Sequence, residues 1–334
     1  MIELIKRNPV SFNNNCFGLV YQNAIKENIE NQVNIYPITY NLNGNIIASN
    51  IYTPANYQNK DLFPAIVIAV PNGGVKEQVG GLYGQKLAEL GYITIVSDPT
   101  FFGESGGNKR QQDIPYYRIE DIRGMVDAIS SFEKVDINNI YGLGICGGGG
   151  YMLSAGQMDK RLKKISTISM FNTGAVRREG FQNNQVDSIL ERLHQVAKIR
   201  EKEVLEDINI YNHSMHEMSK EQGHQIPIDM YREGYIYYVE TYCHPNSKSC
   251  FLQRNLMDLM VYDPVQFMYL IDQPLLMIVG DKADTKYMSE NALLLAINTN
   301  NKELYQIKDA THIQMYYVNT FVQEAINKLD SFFK

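Results

Sequence analysis

Between Tyr141 and Tyr151 the chain reads Gly142-Leu143-Gly144-Ile145-Cys146-Gly147-Gly148-Gly149-Gly150, six glycines around a single cysteine. The apolar run before it (139–145) reads as a strand buried on both faces, and the run after it (151–158) reads as a helix. A strand that turns into a helix through residues without side chains must pass close to other backbone, and the one large residue in the turn is held where the turn puts it. Few architectures need such a junction, and those that do are built from alternating strands and helices.

The rest of the chain keeps that rhythm. A hairpin opens it, with strands at 37–42 and 46–52 around an Asn43-Gly44 turn. Short apolar strands follow at 65–70, 92–96, 139–145, 165–171, 275–279 and 303–307, with amphipathic helices at 78–90, 119–132, 151–158, 289–297 and 317–332. The fold class expected is α/β: a mostly parallel, doubly wound sheet with an antiparallel N-terminal hairpin. The alternation lapses after about residue 174, which divides the chain into a core segment (1–174), a helical insertion (175–263) and a second core segment (264–334). In the insertion Val186, Ile189, Leu190, Leu193, Val196 and Ala197 recur at helical spacing, a helix with one apolar face, which reads as a lid, the alternative being a second packing layer with no role in access.

The glycine run supports two chemistries. Gly144-Ile145-Cys146-Gly147-Gly148 fits a nucleophile elbow, G-x-nucleophile-x-G, with cysteine in place of serine. Gly142, Gly144 and Gly147 also satisfy G-x-G-x-x-G, but the next strand ends in Asn172-Thr173 where a dinucleotide site carries an acid for the ribose. An elbow further requires an acid and then a histidine, each in a loop after a later strand, and both are present. Asp281 and Asp284 follow the strand at 275–279, and His312 follows the strand at 303–307. Asp284, further out on its loop, is the expected acid, with Asp281 a turn residue. The predicted triad is therefore Cys146, Asp284 and His312, in which the imidazole takes the thiol proton, the carboxylate orients the ring and a thioacyl-enzyme forms. Oxyanion donors are expected from Gly147 and from the loop after the strand at 65–70, where Gly73 and Gly74 let backbone approach a ligand.

Other classes are disfavoured by composition. A net charge of −6 offers no basic field for nucleic acid. No apolar run approaches the length of a membrane span, and residues 1–15 lack a secretory core, so a cytoplasmic location is expected. Four cysteines, Cys16, Cys146, Cys243 and Cys250, are too few for a disulfide framework. A zinc site from Cys243, His244 and Cys250 lacks a fourth ligand, so neither metal nor cofactor is expected. Tyr235, Tyr237, Tyr238 and Tyr242 read as packing between the insertion and the core, or as pocket lining.

Together the stretches PNGGVKEQVGGLY (71–83), DPTFFGESGG (98–107), GLGICGGGGY (142–151), PLLMIVGDKADTKYMSE (274–290) and ATHI (310–313) resemble the dienelactone-hydrolase-like branch of the α/β-hydrolase superfamily, in particular bacterial members with a cysteine elbow. The resemblance runs nearly the full length. It implies the nucleophile at Cys146, the acid at Asp284, the histidine at His312 and oxyanion roles for Gly73, Gly74 and Gly147. Such relatives often carry His-Pro-Gly-Gly-Gly where this chain has Val70-Pro71-Asn72-Gly73-Gly74, so that histidine's contribution is absent here. Around His244-Pro245-Asn246 the relatives look similar, which favours a structural or pocket-lining role there. The function expected is hydrolysis of an ester, lactone or thioester of a small molecule. Acyl transfer by the same triad and a non-catalytic binding protein on the same fold are the alternatives, and the sequence leaves the oligomeric state open, a homodimer included.

Overall fold

The structure is a computed structural model that describes residues 2–7, 17–19 and 29–334. Cys16 and most of the N-terminal stretch read for a targeting signal lie outside the described residues. Nine strands form a single sheet among the described residues: β1 (Ile5–Lys6), β2 (Asn34–Leu42), β3 (Asn45–Thr53), β4 (Phe63–Ala69), β5 (Ile93–Ser97), β6 (Val135–Ile145), β7 (Leu162–Ile168), β8 (Leu275–Gly280) and β9 (Lys302–Ile307). Their order is β1-β2-β3-β5-β4-β6-β7-β8-β9. The first four strands in that order pair antiparallel, and every pairing from β5 through β9 is parallel. The hairpin forms as its sequence predicts: Asn43 and Gly44 both take positive φ, which matches the twist of the flanking strands.

The helices are α1 (Val79–Glu89), α2 (Pro115–Ser130), α3 (Gly147–Met158), α4 (Thr173–Glu179), α5 (Ile189–Leu205), α6 (Lys220–His224), α7 (Asp229–Tyr235), α8 (Leu256–Leu259), α9 (Lys286–Leu295) and α10 (Asn319–Phe333). Every residue of β5 and β8 is buried, so both faces of the central sheet are covered; α1 packs with α10 and α2 with α3. This is why these strands read as continuous apolar runs rather than alternating ones.

The segment between β7 and β8 is helical apart from one isolated bridge, Tyr211 to Leu252. Its apolar stripe does not behave as expected for a lid face. In α5 only Val196 and Glu203 are buried, and Leu190 is 72% exposed. Polar side chains tie the helix down instead: buried Glu203 accepts from the Ile210 N–H at 2.8 Å and pairs with Arg254 at 3.4 Å, and Arg192 donates to the Arg177 carbonyl at 2.6 Å and the Gln185 carbonyl at 3.1 Å. The insertion reaches the core through Val176 of α4, Phe181, Met230 of α7 and, in the π-helical turn Ile236–Thr241 that continues α7, Tyr237 and Tyr238, while the 248–251 strap lines the cavity beside Cys146.

Candidate active site

Parallel strands end on one edge of the sheet, and the loops after β4, β6, β8 and β9 meet there. Cys146 stands between β6 and α3 with φ 54° and ψ −123°, a backbone region that a residue with a Cβ rarely adopts. Neighbouring backbone holds it there. Its N–H donates to the Ile168 carbonyl at 2.9 Å, and its carbonyl accepts from Gly149 at 2.8 Å and from Phe171 at 2.9 Å. The glycines make this approach possible: a Cβ on Gly148 would stand 2.4 Å from the Ala69 carbonyl oxygen, and one on Gly144 would stand 2.5 Å from that of Gly148. The G-x-G-x-x-G pattern is thus accounted for by strand-to-helix packing.

Three donors face the Cys146 sulfur: the Tyr316 hydroxyl and the backbone N–H groups of Gly147 and Asn72. Burial pushes the thiol up, and these donors, with the more distant Arg118 guanidinium, pull it back down. Gly147 stands where the sequence placed it, but the donor from the loop after β4 is Asn72. The Gly74 N–H is used on the Pro71 carbonyl at 3.1 Å, closing a tight turn. Gly73 supplies the bend, with φ 75°, and its carbonyl accepts from the Ser247 hydroxyl at 2.7 Å. The Asn72 side chain donates to Thr173 at 2.8 Å, tying this loop to α4.

His312 is buried in the loop after β9. Its Nδ1 lies 2.6 Å from the Thr285 hydroxyl and its Nε2 lies 3.1 Å from the Tyr316 hydroxyl. Tyr316 therefore stands between ring and sulfur, and the four side chains form a line: Cys146, Tyr316, His312, Thr285. The predicted acid is not in it. Asp284 points the other way and accepts from the Met230 N–H of α7 at 3.0 Å, while burial holds its carboxyl above the usual range. Asp281 accepts from the Asp309 N–H at 2.7 Å, a turn role. Adjacent side chains on an irregular loop diverge, so Asp284 and Thr285 cannot both face the ring. With no carboxylate beside it, His312 is lowered by burial to about 3.

The sulfur opens onto a cavity of about 120 Å³, walled by Phe102, Phe171, Met230, Tyr238 and Phe251 among others. It is small against the several hundred Å³ of sites for drug-sized ligands.

No family model matches the chain. The uncharacterised protein YcjY of Escherichia coli (strain K12) is 32% identical over 292 residues, 86% of this chain and 94% of that protein. The uncharacterised protein PA2218 of Pseudomonas aeruginosa is 32% identical over 278 residues, 82% of this chain and 73% of that protein. In its crystal structure PA2218 superimposes with a TM-score of 0.83 at 30% identity, covering 90% of this chain and 93% of that one. The chain belongs to the family of YcjY and PA2218. Its fold is that of the α/β hydrolases, as the structure of the α/β hydrolase GrgF from Penicillium sp. sh18 also shows, with a TM-score of 0.72 at 15% identity over 91% of this chain and 98% of that one.

Within this family member several site residues escaped the sequence reading. Tyr316 is one turn beyond His312, at a spacing of four, and that spacing was its only sequence signal. Asn72 was legible as the residue between Pro71 and the glycines. Arg177, in no motif of the sequence, lines the cavity. Cys250 lines it too, whereas His244 accepts from the Asn246 N–H at 3.1 Å within its own turn. Among the described residues no group of three or more His, Cys, Asp or Glu converges as metal ligands, and no helix is long and apolar enough to cross a membrane.

Next to the loop after β4 lies a buried ionic cluster. The Lys76 ammonium contacts Asp98 at 2.8 Å, Glu77 at 2.7 Å and Glu104 at 2.5 Å, and Arg7 reaches Glu104 at 3.0 Å. Since the Lys76 N–H also donates to Asp98 at 2.9 Å, both backbone and side chain fix the start of α1 behind Asn72. Removing one member of such a cluster leaves a charge buried without its partner, which is strongly destabilising.

Proposed function

We propose that the chain is a hydrolase of small esters, lactones or thioesters, of the dienelactone-hydrolase-like branch, and that Cys146 is its nucleophile. The observation that carries this reading is the Cys146 sulfur at a strained elbow, on the wall of a cavity, with the N–H groups of Asn72 and Gly147 aimed at it. Those two donors are the oxyanion hole: as sulfur bonds to the acyl carbon, the carbonyl oxygen takes up their hydrogen bonds as it gains charge.

The proton follows the line of side chains. With Nδ1–H donating to Thr285, Nε2 is the acceptor; the Tyr316 hydroxyl passes its proton to Nε2 and receives the thiol proton. The tetrahedral adduct then collapses, the bond from acyl carbon to leaving oxygen or sulfur breaks, and the leaving group takes the proton back from His312 through Tyr316. Water attacks the thioester by the same route in reverse and frees the acid. Residues 175–263, with α7 and the 248–251 strap over the sulfur, serve as the lid.

One observation favours a second reading. A ring at about 3 with no carboxylate partner is a weak base, as suits a protein that binds an acyl compound without turning it over. Mass spectrometry of the intact protein during turnover of a p-nitrophenyl ester separates the two. The hydrolase reading expects a mass increase of one acyl group on Cys146 and no turnover in Cys146→Ala. Full turnover in that variant overturns it.

A further inference from the structure

The cavity beside Cys146 is apolar except for a few groups whose pairing is uneven. Asp113, the acid on its wall, is already engaged: it lies 3.5 Å from Arg118 and accepts from the Tyr151 hydroxyl at 3.3 Å. Arg177 is not. Among the described residues its guanidinium makes no ion pair and no side-chain hydrogen bond, and its Nε is buried without a partner. The group is held in place nonetheless, its Cζ 4.7 Å from the centre of the Phe251 ring, a second wall of the same cavity. Stacking on an aromatic face fixes the plane of a guanidinium and leaves its edge, with the N–H fork, available.

A buried N–H without an acceptor is destabilising, and a guanidinium facing an apolar cavity is more so, unless the ligand supplies the acceptor. Neighbouring acids do not supply it: Glu179, two residues on, pairs with Arg178 at 2.9 Å, and Asp263 pairs with Arg178 as well. Lys248, exposed at the rim of the cavity, adds positive charge along the way in. A planar carboxylate matches the fork of one arginine in two parallel hydrogen bonds.

We propose that Arg177 binds a carboxylate on the acyl part of the substrate, so that the compounds hydrolysed are half-esters or half-thioesters of short dicarboxylic acids. This rests on the hydrolase reading for the chemistry at Cys146, but the anion site stands on Arg177 alone. The cavity of about 120 Å³ keeps the chain between the two ends to a few carbons.

The test compares mono-p-nitrophenyl glutarate with p-nitrophenyl pentanoate, a neutral ester of the same length, in wild type and in Arg177→Met. In wild type the ratio of kcat/KM values favours the glutarate ester by about tenfold or more and declines with added salt, as a charge-assisted hydrogen bond requires. In Arg177→Met the ratio falls towards one. Equal use of both esters by wild type, or a ratio that the substitution leaves unchanged, overturns the anion site. Because the wild-type ratio and its salt dependence need no variant, the question stays decidable even where Arg177→Met fails to fold. A second measurement separates this proposal from the hydrolase reading: calorimetric binding of glutarate, and of inorganic phosphate, to Cys146→Ala. Glutarate binding that Arg177→Met removes, without turnover of either ester by wild type, keeps the anion site and rejects the hydrolase. Cys146-dependent turnover without glutarate binding does the reverse. Phosphate binding in place of glutarate also overturns the carboxylate assignment.

Discussion

In the proposed mechanism the thiol proton leaves through Tyr316. Its hydroxyl lies 3.1 Å from His312 Nε2 and hydrogen-bonds the Cys146 sulfur, so imidazole and thiol communicate through it. Tyr316→Phe keeps the ring and its packing on Tyr237 and removes only the relay; kcat for a chromogenic ester should fall about a hundredfold or more, the scale of general acid–base catalysis. A fall of less than threefold would mean that ring and sulfur exchange protons by another path. The acid makes an opposite pair of expectations. Asp284→Asn should leave kcat within about threefold, because its carboxylate holds the Met230 N–H and not the ring, whereas Thr285→Val should lower kcat by about tenfold by freeing Nδ1, the loss of one hydrogen bond. Steady-state kinetics with the three variants, each checked for its melting temperature, settles which residue orients His312.

The junction from β6 to α3 carries the constraint that made the sequence readable. Its glycines are small for different reasons: Gly144 and Gly148 because backbone passes within a Cβ's reach, Gly142 because Met152 of α3 fills the space, and Gly147 because the Asn72 side chain does. Gly148→Ala sets a methyl 2.4 Å from the Ala69 carbonyl oxygen, and backbone cannot step aside as a flexible side chain can. The expected loss is about 1–3 kcal/mol of stability, read as a lower melting temperature, together with reduced turnover as β4 and Asn72 are pushed away from the sulfur. An unchanged melting temperature would show that the elbow has slack. Elsewhere the expected strands and helices formed, with boundaries displaced by as much as a turn: β6 starts at Val135 against 139, and β7 runs Leu162–Ile168 against 165–171. The larger departure was α5, whose repeating apolar residues remain largely exposed, because periodicity reports that a helix has an apolar face and not that anything covers it.

Across the molecule, buried ionisable groups must be neutral or paired. His312 is lowered to about 3 and His244 to about 4, both by burial first. The unfolded chain takes up a proton on each near 6.5 that the folded chain refuses, so their contribution to stability is full above that pH and lost as pH falls towards the folded values. Asp121, raised to about 6 by burial, acts in the opposite sense, its contribution present below the unfolded value and lost as pH rises through 6. Comparison of variants isolates one group from the others: the stability advantage of wild type over His312→Gln should narrow by about 1–2 kcal/mol between pH 7 and pH 5, measured by chemical denaturation. A constant difference would mean that the ring is not held neutral. Much of this protein was legible from its residues alone. The alternation of apolar runs and amphipathic helices, the Asn43-Gly44 turn, the cysteine in a glycine junction and the late histidine are local signals, set by backbone geometry and the burial of successive side chains. The partners of His312 and Cys146 were not legible. Whether Asp284 or Thr285 meets the ring, that Tyr316 comes between, that Asn72 donates instead of Gly74, and that Arg177 faces the same cavity all depend on where side chains from distant loops point. Those directions are fixed by packing at the carboxyl edge of the sheet, where a difference of a few ångströms chooses the partner and leaves no trace in sequence spacing.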